Sequence, residues 1–167
     1  MKTLPEYLYH YTSFVQMQWI VEDRELKRSP SNLKLQDGPV SYEPIIRNGE
    51  VVGQRAKNKY ANYHPVVWLT ANAAAAANET GLYEAKTEAR FVIPTEDLKH
   101  HILHWPEFTA KYHASPDAVR ALKQANGGDW KNWYVCDCPI SLGLVDKIEV
   151  RTEDGGYRPK YIIHREE

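Results

Sequence analysis

The 167-residue sequence lacks several features that would assign it to a class of protein at once. It has no apolar run near the roughly 20 residues that a membrane-spanning helix needs, and its first residues lack the apolar centre of a signal peptide. Its charges nearly cancel, because 21 Lys and Arg stand against 22 Asp and Glu. A protein that coats nucleic acid non-specifically needs a strongly basic surface instead. We therefore expect a cytoplasmic protein with no membrane partner.

Cysteine is scarce, and the two present, Cys136 and Cys138, stand two residues apart. On a strand both side chains point to one face, where a disulfide across so short a loop would be strained. Zinc needs further ligands, which the sequence offers at no recognisable spacing. We interpret both cysteines as small core residues.

Three histidines near the middle of the chain, His100, His101 and His104, together with His113, resemble a set of metal ligands. His100 and His104 are four residues apart and would share one face of a helix. A zinc-protease helix needs glutamate directly after the first histidine, where His101 stands. We favour a histidine-rich surface turn and predict no metal.

The sequence also lacks a Gly-rich phosphate loop and a repeated strand–helix–strand alternation, which argues against Rossmann and P-loop nucleotide sites. Aromatic usage is unusual, with eleven Tyr and five Trp but only three Phe. Tyr and Trp combine apolar area with a polar group, as in pockets that stack a planar ligand. For any single aromatic residue, a place in the core or at its rim is the better interpretation.

Hydrophobic periodicity, caps and turn residues predict one α+β domain over residues 1–167. Ser13 and Gln16 form a capping box for a helix over 14–23, and Asn48-Gly49 predicts a β-hairpin within a loop or hairpin insertion around 30–65. Further helices are expected at 71–77 and from Pro116 to about 125. Strands are expected at 8–11, 25–29, 66–70, 89–93, 133–136, 146–151 and 157–163.

The opening strand, Tyr9-His10-Tyr11-Thr12, leads directly into a capped helix and then into Glu25-Leu26-Lys27. Val67-Trp68-Leu69-Thr70 follows later, and Trp133-Tyr134-Val135 and Ile148-Glu149-Val150 close the pattern. This order resembles small bacterial and phage members of the ADP-ribosyltransferase-like fold, over about residues 7–151. The resemblance implies short strands around a split sheet with two or three helices, and NAD as substrate.

The same resemblance implies roles for individual residues. In the family, a strand histidine bonds a ribose hydroxyl and a late-strand glutamate stabilises the cation that forms as nicotinamide leaves. His10 and Glu149 match these catalytic positions. The further cofactor-binding candidates are Thr12 for the amide or ribose, Arg90 for the pyrophosphate, Thr70 as a secondary pocket residue, and Tyr11, Trp68 and Tyr134 for stacking on nicotinamide.

The activity implied is transfer of ADP-ribose to a macromolecule, a toxin-like activity suited to phage–host conflict. The basic, Tyr-containing stretch from Arg55 to Tyr63 favours nucleic acid slightly over protein as the acceptor. Lys147 stands where many protein-modifying members carry an acidic residue or glutamine. A non-catalytic module that binds a nucleotide, a nucleic acid or a protein is therefore the alternative. Convergence of His10, Trp68 and Glu149 in one cleft would favour the enzyme.

Overall fold

A computed structural model of the chain describes residues 3–34, 42–56, 63–73, 82, 84–125 and 129–162, and it has the α+β architecture that the sequence predicts. The described helices are α1 (Phe14–Asp23), α2 (Trp105–Lys111) and α3 (Pro116–Ala125). The described strands are β1 (Tyr7–Thr12), β2 (Glu25–Leu26), β3 (Ser29–Lys34), β4 (Tyr42–Arg47), β5 (Glu50–Ala56), β6 (Tyr63–Thr70), β7 (Ala89–Pro94), β8 (Ile102–His104), β9 (Trp133–Cys136), β10 (Ile140–Ser141), β11 (Lys147–Arg151) and β12 (Tyr157–Ile162).

An eight-stranded antiparallel sheet forms the centre of the molecule. Its strands follow the order β12-β11-β7-β1-β6-β9-β8, and β3 pairs with β6 beside this path. Six consecutive positions join β1 to β7, whereas a single register position, Tyr9 with Thr70, joins β1 to β6. The two halves of the sheet are therefore held together weakly at the β1–β6 junction.

Helix α1 forms as the sequence predicts, from Phe14 to Asp23. The Ser13 side chain accepts a hydrogen bond from the Gln16 backbone N–H, which satisfies one of the free donors at the helix start. Arg24 adopts a left-handed conformation with φ of 56° and ends the helix. Met17 is buried, so α1 packs one of its faces against the sheet.

Two hydrophobic clusters lie on either side of β6. Val67 and Leu69 belong to the larger cluster, which Met17 of α1 joins. Val66 belongs to the second cluster, which Trp105 and Phe108 of α2 share with Trp133 and Val135. Successive side chains of a strand point to opposite faces, so α1 and α2 cover opposite faces of the sheet.

The predicted hairpin is confirmed. β4 and β5 pair with each other around Asn48 and Gly49, whose φ values are 52° and 79°. Asn-Gly supports such positive φ values in a two-residue turn. In the part of the chain that the structure describes, β4 and β5 form a separate two-stranded sheet. Within the Arg55–Tyr63 stretch, residues 57–62 lie outside the described residues.

One predicted turn is confirmed and one predicted strand differs. His100 and His101 lie in an exposed turn directly before β8, as the favoured interpretation of a histidine-rich surface turn predicts, and His104 ends that strand directly before α2. The strand predicted at 25–29 is split into β2 and the start of β3. Most of the helix predicted at 71–77 lies outside the described residues, since these end at 73 and resume at 82.

The two cysteines are free thiols that contribute to the core unequally. Cys136 is fully buried in β9, and burial raises the pKa of its thiol to about 12. Cys138 is half-buried and packs against the larger cluster.

Across the described ranges, we find no helix with the length and apolarity that a membrane crossing requires.

Candidate functional site

A cleft of about 670 Å³ opens where β1 and β6 separate. This volume lies within the range of about 300–1,000 Å³ that small-molecule sites occupy. The end of β1, helix α1, β2 and β6 supply most of its wall. The lining residues are His10, Tyr11, Thr12, Gln16, Trp19, Ile20, Asp23, Glu25, Leu26, Lys27, Ser29, Trp68, Leu82, Lys86, Leu122 and Trp133.

His10 crosses the junction between the two strands. Its Nδ1 lies 2.8 Å from the backbone oxygen of Trp68. A carbonyl oxygen only accepts, so Nδ1 carries the proton and donates it to Trp68. In the neutral ring, Nε2 is then left as an acceptor.

The surroundings of His10 keep its ring neutral. Burial lowers the pKa of His10, the hydrogen bond to Trp68 opposes this change, and the charge of Lys86 adds to the lowering. The imidazole is therefore uncharged at neutral pH. A neutral, oriented ring with one acceptor nitrogen suits recognition of a hydroxyl group.

Three tryptophans, Trp19, Trp68 and Trp133, line the cleft, and two of them pack against each other. The rings of Trp68 and Trp133 meet edge to face, with centroids 6.0 Å apart and planes at 78°. The Trp133 indole donates a 3.0 Å hydrogen bond to Asp129, which fixes its ring. Indole faces stack well on planar heteroaromatic rings.

Polar and charged groups complete the lining. Thr12 is buried, and its hydroxyl donates to the Gln16 side-chain oxygen over 2.9 Å. Lys27 forms an ion pair of 3.2 Å with Asp23, and both side chains are well exposed. Lys86 is a further exposed cation at the cleft. Asp23 and Glu25 line the cleft beside these two lysines, so the formal charges balance and Lys86 is the lysine outside the Asp23–Lys27 pair.

Glu149 does not line this cleft. Its carboxylate forms a 2.9 Å ion pair with Arg90, and only 8% of the Glu149 side chain and 12% of the Arg90 side chain are exposed. Strand register explains why Glu149 is separated from His10. Tyr11, Arg90 and Glu149 stand side by side across β1, β7 and β11. His10 is one residue away from Tyr11 and so points to the opposite face of the sheet.

Arg90 is enclosed by its neighbours and does not line the cleft either. Its guanidinium carbon lies 4.7 Å from the ring centre of Tyr9 and 4.1 Å from that of Tyr157. It also donates to the Tyr11 hydroxyl over 3.2 Å and to the backbone oxygen of Ala73. Burial alone would lower the pKa of Arg90, but hydrogen bonds to Tyr11 and Glu149 outweigh it and raise that pKa.

Two further candidates are core residues of the sheet. Thr70 is fully buried, and its hydroxyl accepts from the Asn72 backbone N–H over 3.1 Å. Tyr134 is 2% exposed, belongs to the larger hydrophobic cluster and packs against His104. Neither side chain lines the cleft.

The structure therefore brings together His10, Tyr11, Thr12 and Trp68 of the residues selected from the sequence. Glu149, Arg90, Thr70 and Tyr134 lie elsewhere. Trp133 and Gln16 are cleft residues that sequence reasoning missed as site residues. Strand register carries Trp133 to the cleft, since it stands opposite Thr70 of β6.

No known family model, curated protein or solved structure matches the chain. Function is therefore inferred from the chemistry of the cleft.

Proposed function

We propose that the protein is a nucleotide-binding domain with an ADP-ribosyltransferase-like fold, and that its cleft binds NAD. The observation that carries this proposal is the meeting of a neutral, oriented His10 with the Trp68–Trp133 pair in one cleft of about 670 Å³. An acceptor nitrogen beside an aromatic wall matches the ribose and the planar ring of a nucleoside.

Three parts of the ligand have a matching group in the cleft. A ribose hydroxyl donates to Nε2 of His10, and the nicotinamide ring stacks against Trp68, which is less buried than Trp133. The pyrophosphate is attracted by Lys86, which lines the same cleft and is exposed. The resemblance of residues 7–151 to the ADP-ribosyltransferase-like fold favours NAD over other nucleotides.

A calorimetric titration with NAD tests the proposal. We expect saturable binding that Trp68→Leu weakens about fivefold or more, because the substitution removes a stacking surface worth about 1–3 kcal/mol per ring. Trp130→Leu is the matched control, since Trp130 is also half-buried and in an edge-to-face pair, with Trp105, but does not line the cleft. Absence of binding at millimolar NAD, or equal weakening by both variants, contradicts the proposal.

The second candidate function is cleavage of NAD with transfer of ADP-ribose to a macromolecule. The meeting of His10, Thr12 and Trp68 in one cleft favours it, because the resemblance implies these residues for an NAD-cleaving site. Cleavage builds positive charge on the ribose, and a carboxylate close to it lowers the barrier. Among the described residues, the acidic side chains that line the cleft are Asp23 and Glu25.

Release of nicotinamide distinguishes the two candidates. Asp23 already pairs with Lys27, so Glu25 is the better carboxylate for this geometry, while Glu149 is the one implied by the resemblance. We expect a transferase that uses this cleft to lose most of its turnover in Glu25→Gln, with NAD affinity preserved, and to keep it in Glu149→Gln, whose carboxylate lies outside the cleft. The assay includes single-stranded nucleic acid and protein as acceptors. If the chain binds NAD but releases no nicotinamide with either acceptor, it is a non-catalytic nucleotide-binding domain.

A further inference from the structure

Three potential metal ligands from two distant segments meet at one end of the β8–β9 pair. His101 directly precedes β8, and Asp137 and Cys138 directly follow β9. The strands are paired antiparallel, and the Asp137 backbone N–H donates to the His101 backbone oxygen over 3.1 Å. The backbone therefore holds the two segments together whether or not an ion is bound.

The ligand atoms of these three residues are close enough to share one ion. One atom each from His101, Asp137 and Cys138 lie within 4.8 Å of one another, and His101 Nδ1 is 2.9 Å from Asp137 Oδ1. Tetrahedral zinc, with bonds of about 2.0 Å to nitrogen and oxygen, separates two such ligands by about 3.3 Å. A movement of a few tenths of an ångström thus replaces the hydrogen bond by two coordinate bonds.

We propose that His101, Asp137 and Cys138 bind a divalent zinc ion, with water in the fourth position. Imidazole, carboxylate and thiolate together suit zinc, because hard ions such as magnesium prefer oxygen alone. When the zinc–sulfur bond forms, the thiol proton of Cys138 passes to solvent, so a neutral imidazole, a carboxylate and a thiolate balance the dication.

The surroundings allow an ion to enter. The side chain of His101 is 51% exposed and that of Asp137 is 28% exposed, so solvent reaches the cluster. Arg28 donates to the Asp137 backbone oxygen over 3.3 Å, and the partner of the Asp137 carboxylate is His101, the other proposed ligand. None of the three proposed zinc ligands lines the cleft, so the zinc site is independent of the proposed nucleotide site.

Cobalt(II) serves as the spectroscopic probe of the zinc site. We expect the full-length reduced protein to bind one cobalt ion with thiolate-to-metal charge-transfer absorption and the visible bands of a tetrahedral ion, and zinc to displace it. Cys138→Ser removes the charge-transfer band, and His101→Ala weakens binding at least tenfold. Zinc also raises the thermal midpoint of the wild-type protein.

The matched control is His100→Ala, because His100 is an exposed histidine directly beside His101. If the site is as proposed, His100→Ala leaves cobalt binding unchanged. Circular dichroism of each apo variant verifies that it is folded. The proposal is overturned if the wild-type protein does not bind cobalt, or if it binds cobalt without a thiolate-to-metal charge-transfer band. It is equally overturned if His100→Ala and His101→Ala lose the same cobalt affinity.

Discussion

His10 and Glu149 lie on opposite faces of the central sheet. His10 stands opposite Phe91 in the β1–β7 register, whereas Glu149 stands opposite Arg90 in the β7–β11 register. Neighbouring residues of a strand alternate between faces, so the two side chains leave the sheet on opposite sides. His10 lines the cleft, whereas Glu149 does not and belongs to the buried charge pair with Arg90.

The first prediction concerns the stability of that charge pair. We expect Glu149→Gln to lower the free energy of unfolding by about 3 kcal/mol, because removal of one partner leaves the buried Arg90 charge without its counterion. Denaturant unfolding measures the change, and calorimetry on the folded variant is expected to give an unchanged NAD affinity.

The exposed ion pair between Asp117 and Arg120 provides the control for this measurement, since both side chains are largely in solvent. Asp117→Asn is expected to leave stability unchanged within error. A Glu149→Gln protein as stable as the wild type would contradict a structural role for the pair.

The second prediction concerns pH. Burial lowers the pKa of His10 in the folded state, whereas an unfolded histidine titrates near 6.5. Between these two values the unfolded chain binds a proton that the folded chain does not, so stability is complete above about pH 6.5 and is lost as pH falls through the folded pKa.

Denaturant unfolding between pH 5 and 8 measures this dependence. His10→Asn removes the titrating ring but keeps a donor for the Trp68 oxygen, so it should flatten that part of the profile. His100→Ala, at an exposed histidine, should leave the profile unchanged. If wild type and His10→Asn gave superimposable slopes, His10 would not be the buried neutral ring that the geometry describes.

The third prediction concerns the β4–β5 hairpin. Gly49 has φ of 79°, and a side chain in this region costs about 1–2 kcal/mol. We expect Gly49→Ala to speed amide hydrogen exchange in β4 and β5 by roughly fivefold or more, while β1 and β7 keep their protection. The effect stays local because the hairpin pairs only with itself within the described residues.

Gly53→Ala is the control within the same hairpin. A Cβ there would meet Ile45 Cδ1 at 3.9 Å, an ordinary contact. Exchange in β4 and β5 is therefore expected to stay near the wild-type rate. Equal acceleration by both alanines would show that the turn conformation at Gly49 is not the cause.

Local signals in the sequence were sufficient to predict α1 and the hairpin. Ser13 caps a helix through a residue three positions away, and Asn48-Gly49 sets its turn by its own backbone preference. The histidine-rich turn at His100 and His101 was also predicted locally, because no glutamate follows His100 as a zinc-protease helix requires.

The partner of Glu149 could not be read from local sequence. Arg90 is 59 residues away, and only the order of β7 and β11 in the sheet joins the two. Trp133 likewise reaches the cleft through its register with β6. The grouping of His101 with Asp137 and Cys138 depends on the pairing of β8 with β9, which are far apart in the sequence. Non-local pairings of this kind are fixed by tertiary packing and leave no short motif.

The measurement that tests the central claim most directly is an NMR titration of the five tryptophan indole N–H signals with NAD. Trp19, Trp68 and Trp133 line the cleft, whereas Trp105 and Trp130 pack together away from it. Binding in the cleft predicts saturable shifts of the Trp68 and Trp133 signals while those of Trp105 and Trp130 stay in place. Shifts confined to Trp105 and Trp130, or no shift at millimolar NAD, would contradict the assignment of the cleft as an NAD site.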